Sequence, residues 1–313
     1  DTAQNQAVYP QQQQQKAGVG FPICRIVGIV CLASGSVMNA AMGPYKGKGG
    51  DEQSLLRGML DTFENDDLVV GDAYYATYFL LAELIARGVD GLFEQHGGRR
   101  KMNDSRRGER LAESDHQIIY KKPVIKPGWM SDTAYRAAPE TLTVREVKVG
   151  NKILITTLLC VDETSRQALK SLYKDRWQVE LDIRAIKTTM GMETFSCKSP
   201  EMVGKEMWVY LLAYNLIRLV MAQSASLADI LPREISFKHS LQLWQAYRQL
   251  TAADDVNLGS LFALIAEITV GNRPGRIEPR ALKRRPKPYP LLMQQRDVAR
   301  EAIRQFGHPK KQR

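Results

Sequence analysis

Cysteine and histidine are both scarce, at four residues each in a chain of 313. Cys24, Cys31, Cys160 and Cys197 form no CxxC pair and have no histidine at ligand spacing, which argues against a zinc site. Four thiols in so long a chain make no disulfide framework either, and buried, reduced thiols of a cytosolic protein are the expectation. A long uninterrupted apolar run is also lacking. The most apolar stretch, Trp208 to Ala222, is interrupted by Asn215 and Arg218 and is shorter than the ~20 residues a spanning helix needs, so no membrane partner is expected. No signal-peptide pattern is visible. Acidic residues are outnumbered, 34 against 44 Lys plus Arg, for a net charge of +10. An excess of that size favours a polyanionic partner, nucleic acid being the commonest, over the alternative of a merely basic soluble protein. What is present, 44% hydrophobic and 25% charged residues, is the composition of a globular chain. The chain opens at Asp1, without a methionine and in polar sequence, and reads as a fragment lacking its N-terminal part.

The apolar run Ile23–Ala33, rich in β-branched residues, and the run Val37–Met42 flank Ser34-Gly35 and predict a hairpin. Asp51 can cap a helix extending to Phe63. Leu68-Val69-Val70-Gly71 reads as a short buried strand ending near Asp72, followed by a helix carrying Leu80, Leu81, Leu84 and Ile85 and by a strand over Asp90–Gln95. Residues 97–163 are basic, broken by Gly and Pro, and end in two alternating strands joined at Gly150-Asn151. A helix from about Glu163 runs past Lys187, and three more helices follow over 201–227, about 238–250 and about 256–269. The divisions are then 1–96, 97–163 as a β-rich insertion, 164–200, 201–270 as C-terminal helices, and 271–313 as a basic, flexible tail. The order is that of an α/β, RNase H-like core whose first strand is missing and whose last helix follows an insertion.

The helix around LYKDRWQVELDIRAIK carries the chemistry. With Tyr173 at zero and about 100° per residue, Arg176 falls at roughly 300°, Glu180 at roughly 340° and Lys187 at roughly 320°. Those four share one stripe beside an apolar seam of Leu172, Val179, Ile183, Ile186 and Met190. Asp175 and Asp182 fall on the far side and read as solvated, and Trp177 reads as core. Asp72, at the carboxyl end of a central strand, stands where ligands of α/β sheets bind, although capping a helix that starts at Ala73 is the plainer alternative. Oxygen donors of this kind suit Mg²⁺ or Mn²⁺, which need neither Cys nor His. Arg99, Arg100, Lys101, Arg106, Arg107, Arg110, Arg145 and Lys148 are candidate DNA-backbone contacts.

The spacing Y-x2-R-x3-E-x6-K over Tyr173, Arg176, Glu180 and Lys187 resembles the YREK signature of DDE transposases of the insertion-sequence-four family. GDAYY around Asp72 resembles the block of that family's second catalytic aspartate, and DTAQNQAVYP and WVYLLAYNLIR are weaker likenesses. The resemblance spans most of residues 1–270. It implies Glu180 as the third metal-binding acid, Asp72 as the second, and Tyr173, Arg176 and Lys187 as holders of transposon-end phosphates. It also implies cut-and-paste strand cleavage and transfer with Mg²⁺ or Mn²⁺, on DNA ends and target, by a homodimer in a synaptic complex in the bacterial cytoplasm at the nucleoid. The family's first aspartate has no counterpart here, Asp1 reading as a loop residue, so the fragment is expected to bind metal poorly. The strand before the signature helix also lacks the tryptophan some relatives carry, and Trp129 reads as packing. Two alternatives stay open: a nuclease on the same fold without strand transfer, and an inactive, truncated relic that only binds DNA.

Overall fold

The computed structural model describes residues 1–16, 18–47, 49–97, 108–250, 257–270 and 293–307. A short helix α1 (Ala3–Val8), capped by the Thr2 side chain, precedes the expected hairpin of β1 (Cys24–Val30) and β2 (Val37–Pro44). Register explains why the hairpin is apolar on both faces. Val27 pairs with Ala41 and, with Ile29, packs on a core shared with Leu56, Leu60 and Phe79. Ile26 pairs with Met42 and Gly28 with Ala40, and this opposite face packs on a second core of C-terminal helices. The hairpin is thus a wall between two cores.

Its turn needs Gly35. The backbone there has φ +80°, and an added Cβ would lie 2.8–2.9 Å from the guanidinium atoms of Arg218 and Arg233. Gly35→Ala is therefore expected to cost about 1–2 kcal/mol, the left-handed penalty, before any displacement of the two arginines is counted. Urea denaturation of the variant checks this.

After α2 (Glu52–Arg57), capped by Asp51, the chain breaks at Gly58 into a 3-10 turn over Leu60–Thr62, so the helix is shorter than expected. Then β3 (Leu68–Gly71), α3 (Tyr78–Ile85) and β4 (Asp90–Glu94) form a parallel strand–helix–strand unit. Helix α3 buries Phe79, Leu80, Leu81 and Leu84 against the sheet core. Next come β5 (Glu109–Ala112), β6 (Asp115–Lys121), α4 (Asp132–Ala137), β7 (Thr141–Val149) and β8 (Lys152–Thr156). β7 and β8 meet at Gly150, φ +59°, as the Gly-Asn turn predicts. The strands of the β-rich segment continue the core sheet: β8 pairs with β4, giving the order β3-β4-β8-β7-β6-β5.

The architecture is mixed α/β, and its elements follow the succession expected of an RNase H-like core from the hairpin onward. The hairpin makes its own two-stranded sheet, so β3 is not the buried central strand expected but ends the larger sheet, with all four residues half-buried.

The remaining helices are α5 (Arg166–Asp175), α6 (Trp177–Arg184), α7 (Pro200–Ala228), α8 (Phe237–Leu250), α9 (Leu258–Glu267) and α10 (Arg296–Phe306). Helix α7, started by Ser199 and Pro200, has 29 residues and is long and apolar enough to cross a membrane by length and composition, which the apolar run alone did not suggest. In the fold it buries Met207, Leu211, Tyr214, Ile217 and Met221 in the second core. Within the segment expected as a flexible tail, α10 forms and its Arg296 pairs with Asp1 and lies 3.5 Å over the Phe21 ring. The basic run Arg273–Lys287 lies outside the described residues, as do Arg99, Arg100, Lys101, Arg106 and Arg107.

Candidate active site

Asp72 leaves the end of β3. Helix α3 starts only at Tyr78, with Thr77 as its cap, so Asp72 does not cap it. Instead one carboxylate oxygen accepts the Tyr74 amide at 2.8 Å, closing a local turn that leaves the side chain exposed. β3 and β4 run parallel with Gly71 opposite Phe93, so Asp72 follows the end of β3 while Glu94 closes β4, still paired with Leu154 of β8, at the same carboxyl edge.

The signature helix is not one straight helix. α5 ends at Asp175, the helical hydrogen bonding is interrupted at Arg176, whose backbone stays helical (φ −47°, ψ −32°), and α6 runs only to Arg184, where the π-helical turn Ala185–Thr189 begins. Neither Gly nor Pro marks either irregularity. Tyr173, Arg176 and Glu180 nonetheless come together. The Arg176 guanidinium lies 5.6 Å from the centre of the Tyr173 ring and 3.6 Å from a Glu180 oxygen. Glu180 keeps 44% of its side chain exposed. Lys187 departs from the stripe reckoned at 100° per residue, because the wider π turn rotates less per residue. Its ammonium acts electrostatically on the Cys24 thiol at the start of β1.

Two residues that the sequence reading passed over complete the neighbourhood. Glu94 accepts a hydrogen bond from the Tyr173 hydroxyl at 3.2 Å and another from the Lys152 ammonium at 2.6 Å. Burial, and then the Glu94 carboxylate, push the Tyr173 phenol up to about 12, so it remains a hydrogen-bond donor at neutral pH. The rule that selects Asp72, an acid at the carboxyl end of a parallel strand, selects Glu94 equally.

Several expectations are corrected. Asp182 is not solvated: it is 1% exposed and takes ion pairs from Arg218 and Arg233, the latter with both carboxylate oxygens at 2.8 Å. Its partners, Arg218 of α7 and Arg233 before α8, cover this side of the helix. Trp177, read as core, is 56% exposed, and Ile183 of the expected apolar seam is exposed as well. Arg145 is no DNA contact. It is fully buried, gripping Asp115 bidentately at 2.8 and 2.5 Å and donating to the Thr164 carbonyl at 2.8 Å. None of the four thiols expected to be buried is so: Cys160 is exposed and Cys24, Cys31 and Cys197 are half-buried. Trp129 packs as expected, with the Arg57 guanidinium 3.6 Å over its ring and Phe79 at its edge.

Among the described residues no three His, Cys, Asp or Glu side chains converge into a metal cage. The donor chemistry of Asp72 and Glu180 still suits a hard divalent cation. Mg²⁺ is commonly held by one or two carboxylates, with water and substrate phosphate supplying the rest, and both acids face solvent.

The chain is 28% identical over 308 residues to the transposase InsG for insertion sequence element IS4 of Escherichia coli (strain K12), an alignment covering 93% of this chain and 66% of that protein. It therefore spans just under two thirds of that relative's length. It is also similar to the piggyBac transposase synaptic complex with hairpin DNA, solved by cryo-electron microscopy, with a TM-score of 0.42 and 12% identity over 81% of this chain and 52% of that one. The family described as "Transposase DDE domain" matches residues 3–216, which takes in the hairpin, the β3–β4 edge and both halves of the signature helix. The chain belongs to that transposase DDE domain family.

Proposed function

We propose that the chain is the catalytic part of a DNA transposase, which cleaves a strand at the end of an insertion sequence and joins the freed 3′-hydroxyl to a target phosphodiester. The observation that carries this reading is the packing of Tyr173, Arg176 and Glu180 together on the signature helix, within a domain of the transposase DDE family. In the first step water adds to the phosphorus and the 3′ oxygen leaves as a hydroxyl. In the second that hydroxyl adds to a target phosphorus and the target's own 3′ oxygen leaves, so no external energy source is needed. Asp72 and Glu180 would hold Mg²⁺ or Mn²⁺, which supplies charge stabilisation and a more acidic attacking hydroxyl when bound. Arg176, with its planar fork, suits a two-point contact with a phosphate, whereas Lys187 contributes a point charge. The half-exposed Glu180 carboxylate beside Arg176 keeps that guanidinium oriented along the helix until a phosphate arrives. The working form is a homodimer on paired DNA ends, in the bacterial cytoplasm at the nucleoid.

Incubating the full-length protein with a labelled duplex that carries the element's own terminal sequence, plus an unlabelled plasmid, tests the reading. Transfer of label into the plasmid is the expected result, and cleavage without transfer would assign a nuclease instead. Arg176→Gln should also weaken binding to that duplex and lower the slope of log affinity against log salt by about 0.9, one phosphate contact's worth. A titration at four salt concentrations checks it.

A further inference from the structure

Glu94 raises a question that the proposed function leaves open, because it occupies two donors that face a DNA-binding surface. Three elements converge on it: β4 supplies the carboxylate, β8 supplies Lys152 and α5 supplies Tyr173. The Lys152 ammonium also lies 5.5 Å from the centre of the Tyr173 ring and the Arg176 guanidinium 5.6 Å from it, so two cations adjoin the ring. The Glu94 side chain is 15% exposed while that of Lys152 is 53% exposed, so the donor faces solvent and the acceptor lies behind it. A phenol hydroxyl and an ammonium converging on one anionic oxygen is the arrangement that binds a phosphate oxygen, since both give charge-assisted hydrogen bonds. A hydroxyl has a single proton, so Tyr173 cannot donate to Glu94 and to a phosphate at once.

We propose that Tyr173 and Lys152 form a DNA-phosphate subsite in which the Glu94 carboxylate stands in for the phosphate until DNA displaces it. Lys152 is thereby a phosphate-binding residue outside the four-residue signature, and Glu94 a built-in competitor that keeps the subsite satisfied in the free protein. The competition favours DNA only where neighbouring contacts fix the backbone in place, so the pair discriminates a correctly seated end from a loosely bound duplex. The inference rests on the proposed reading of this surface as DNA-binding.

The test is affinity of the full-length protein for a duplex carrying the element's terminal sequence. Lys152→Gln is expected to weaken binding and to lower the salt slope by about 0.9. Glu94→Gln is expected to strengthen binding about threefold or more, by removing the competitor, and this gain should vanish in the Lys152→Gln background. Glu140, a surface acid paired with Lys122 at 2.6 Å, gives the charge-only control. Glu140→Gln should change affinity by less than about twofold, as a rim charge does. An unchanged salt slope in Lys152→Gln, a loss or no change of affinity in Glu94→Gln, or a gain that persists without Lys152 would each overturn the inference. Failure of the parent protein to bind the duplex at all would instead overturn the proposed function. Lys152 opens its strand with its head in solvent, so the Lys152→Gln arm decides even if Glu94→Gln folds poorly.

Discussion

Glu180→Gln in the full-length protein is expected to reduce DNA strand cleavage on the order of 10³-fold, because it removes one carboxylate that would hold the divalent cation and so forfeits several kcal/mol of transition-state charge stabilisation. The same variant should fold normally. Glu180 keeps 44% of its side chain in solvent and makes only a 3.6 Å ion pair with Arg176 four residues earlier. A pair of that kind is worth about 0.3–0.5 kcal/mol, so the thermal midpoint should hardly move. Binding to end DNA should persist as well, since glutamine leaves Arg176 and Tyr173 in place and removes a negative charge. Rates from single-turnover cleavage, read beside a thermal melt, separate loss of chemistry from loss of fold. Cleavage within about tenfold of the parent would place the chemistry elsewhere.

Asp182→Ala is expected to do the reverse, costing about 3–5 kcal/mol of stability, because it leaves two buried guanidinium groups without their counterion. Asp182 is 1% exposed, and Arg218 and Arg233 are 6% and 12% exposed. The cluster reaches further through its hydrogen bonds. Arg218 donates to the Tyr214 hydroxyl at 2.8 Å, and Tyr214 donates to the Gly35 carbonyl at 2.9 Å. Arg233 donates to the carbonyls of Leu32 at 2.7 Å and Cys31 at 3.1 Å. One carboxylate, two residues beyond Glu180, thus ties the signature helix to α7, to the loop before α8 and to the hairpin turn. Urea unfolding of Asp182→Ala and Glu180→Gln side by side should show a large shift in midpoint for the first and almost none for the second. Equal midpoints would mean that the ion cluster contributes little to the fold.

That contrast also marks what was legible in the sequence. Turn chemistry and caps were: Gly150-Asn151 placed the β7–β8 turn, and Asp51 caps α2. Hydrophobic runs gave the hairpin, the parallel strands and the C-terminal helices within a few residues. The signature spacing singled out Glu180, Arg176 and Tyr173, which the fold does bring together.

Long-range pairing of charges was not legible. Asp182 meets arginines 36 and 51 residues away and Arg145 meets an aspartate 30 residues away, distances at which no helical periodicity operates. Asp182 therefore looked solvated and Arg145 looked like a DNA contact. The break at Arg176 and the π turn at Ala185 were equally hidden, since neither Gly nor Pro marks them. A straight wheel at 100° per residue therefore put Lys187 on the stripe of Glu180. Glu94 was within reach of the rule that found Asp72, but its meaning depends on Tyr173 and Lys152, which only the fold places beside it.

The central claim is that Asp72 and Glu180 serve one divalent cation. The measurement closest to it is Mn²⁺ binding, followed by electron paramagnetic resonance, to the full-length protein in complex with a duplex bearing the element's terminal sequence. The parent complex should take up Mn²⁺ saturably, and Asp72→Asn and Glu180→Gln should each weaken that uptake about tenfold or more, the loss expected when a metal-bound carboxylate is replaced by an amide. Uptake unchanged in both variants would contradict the account.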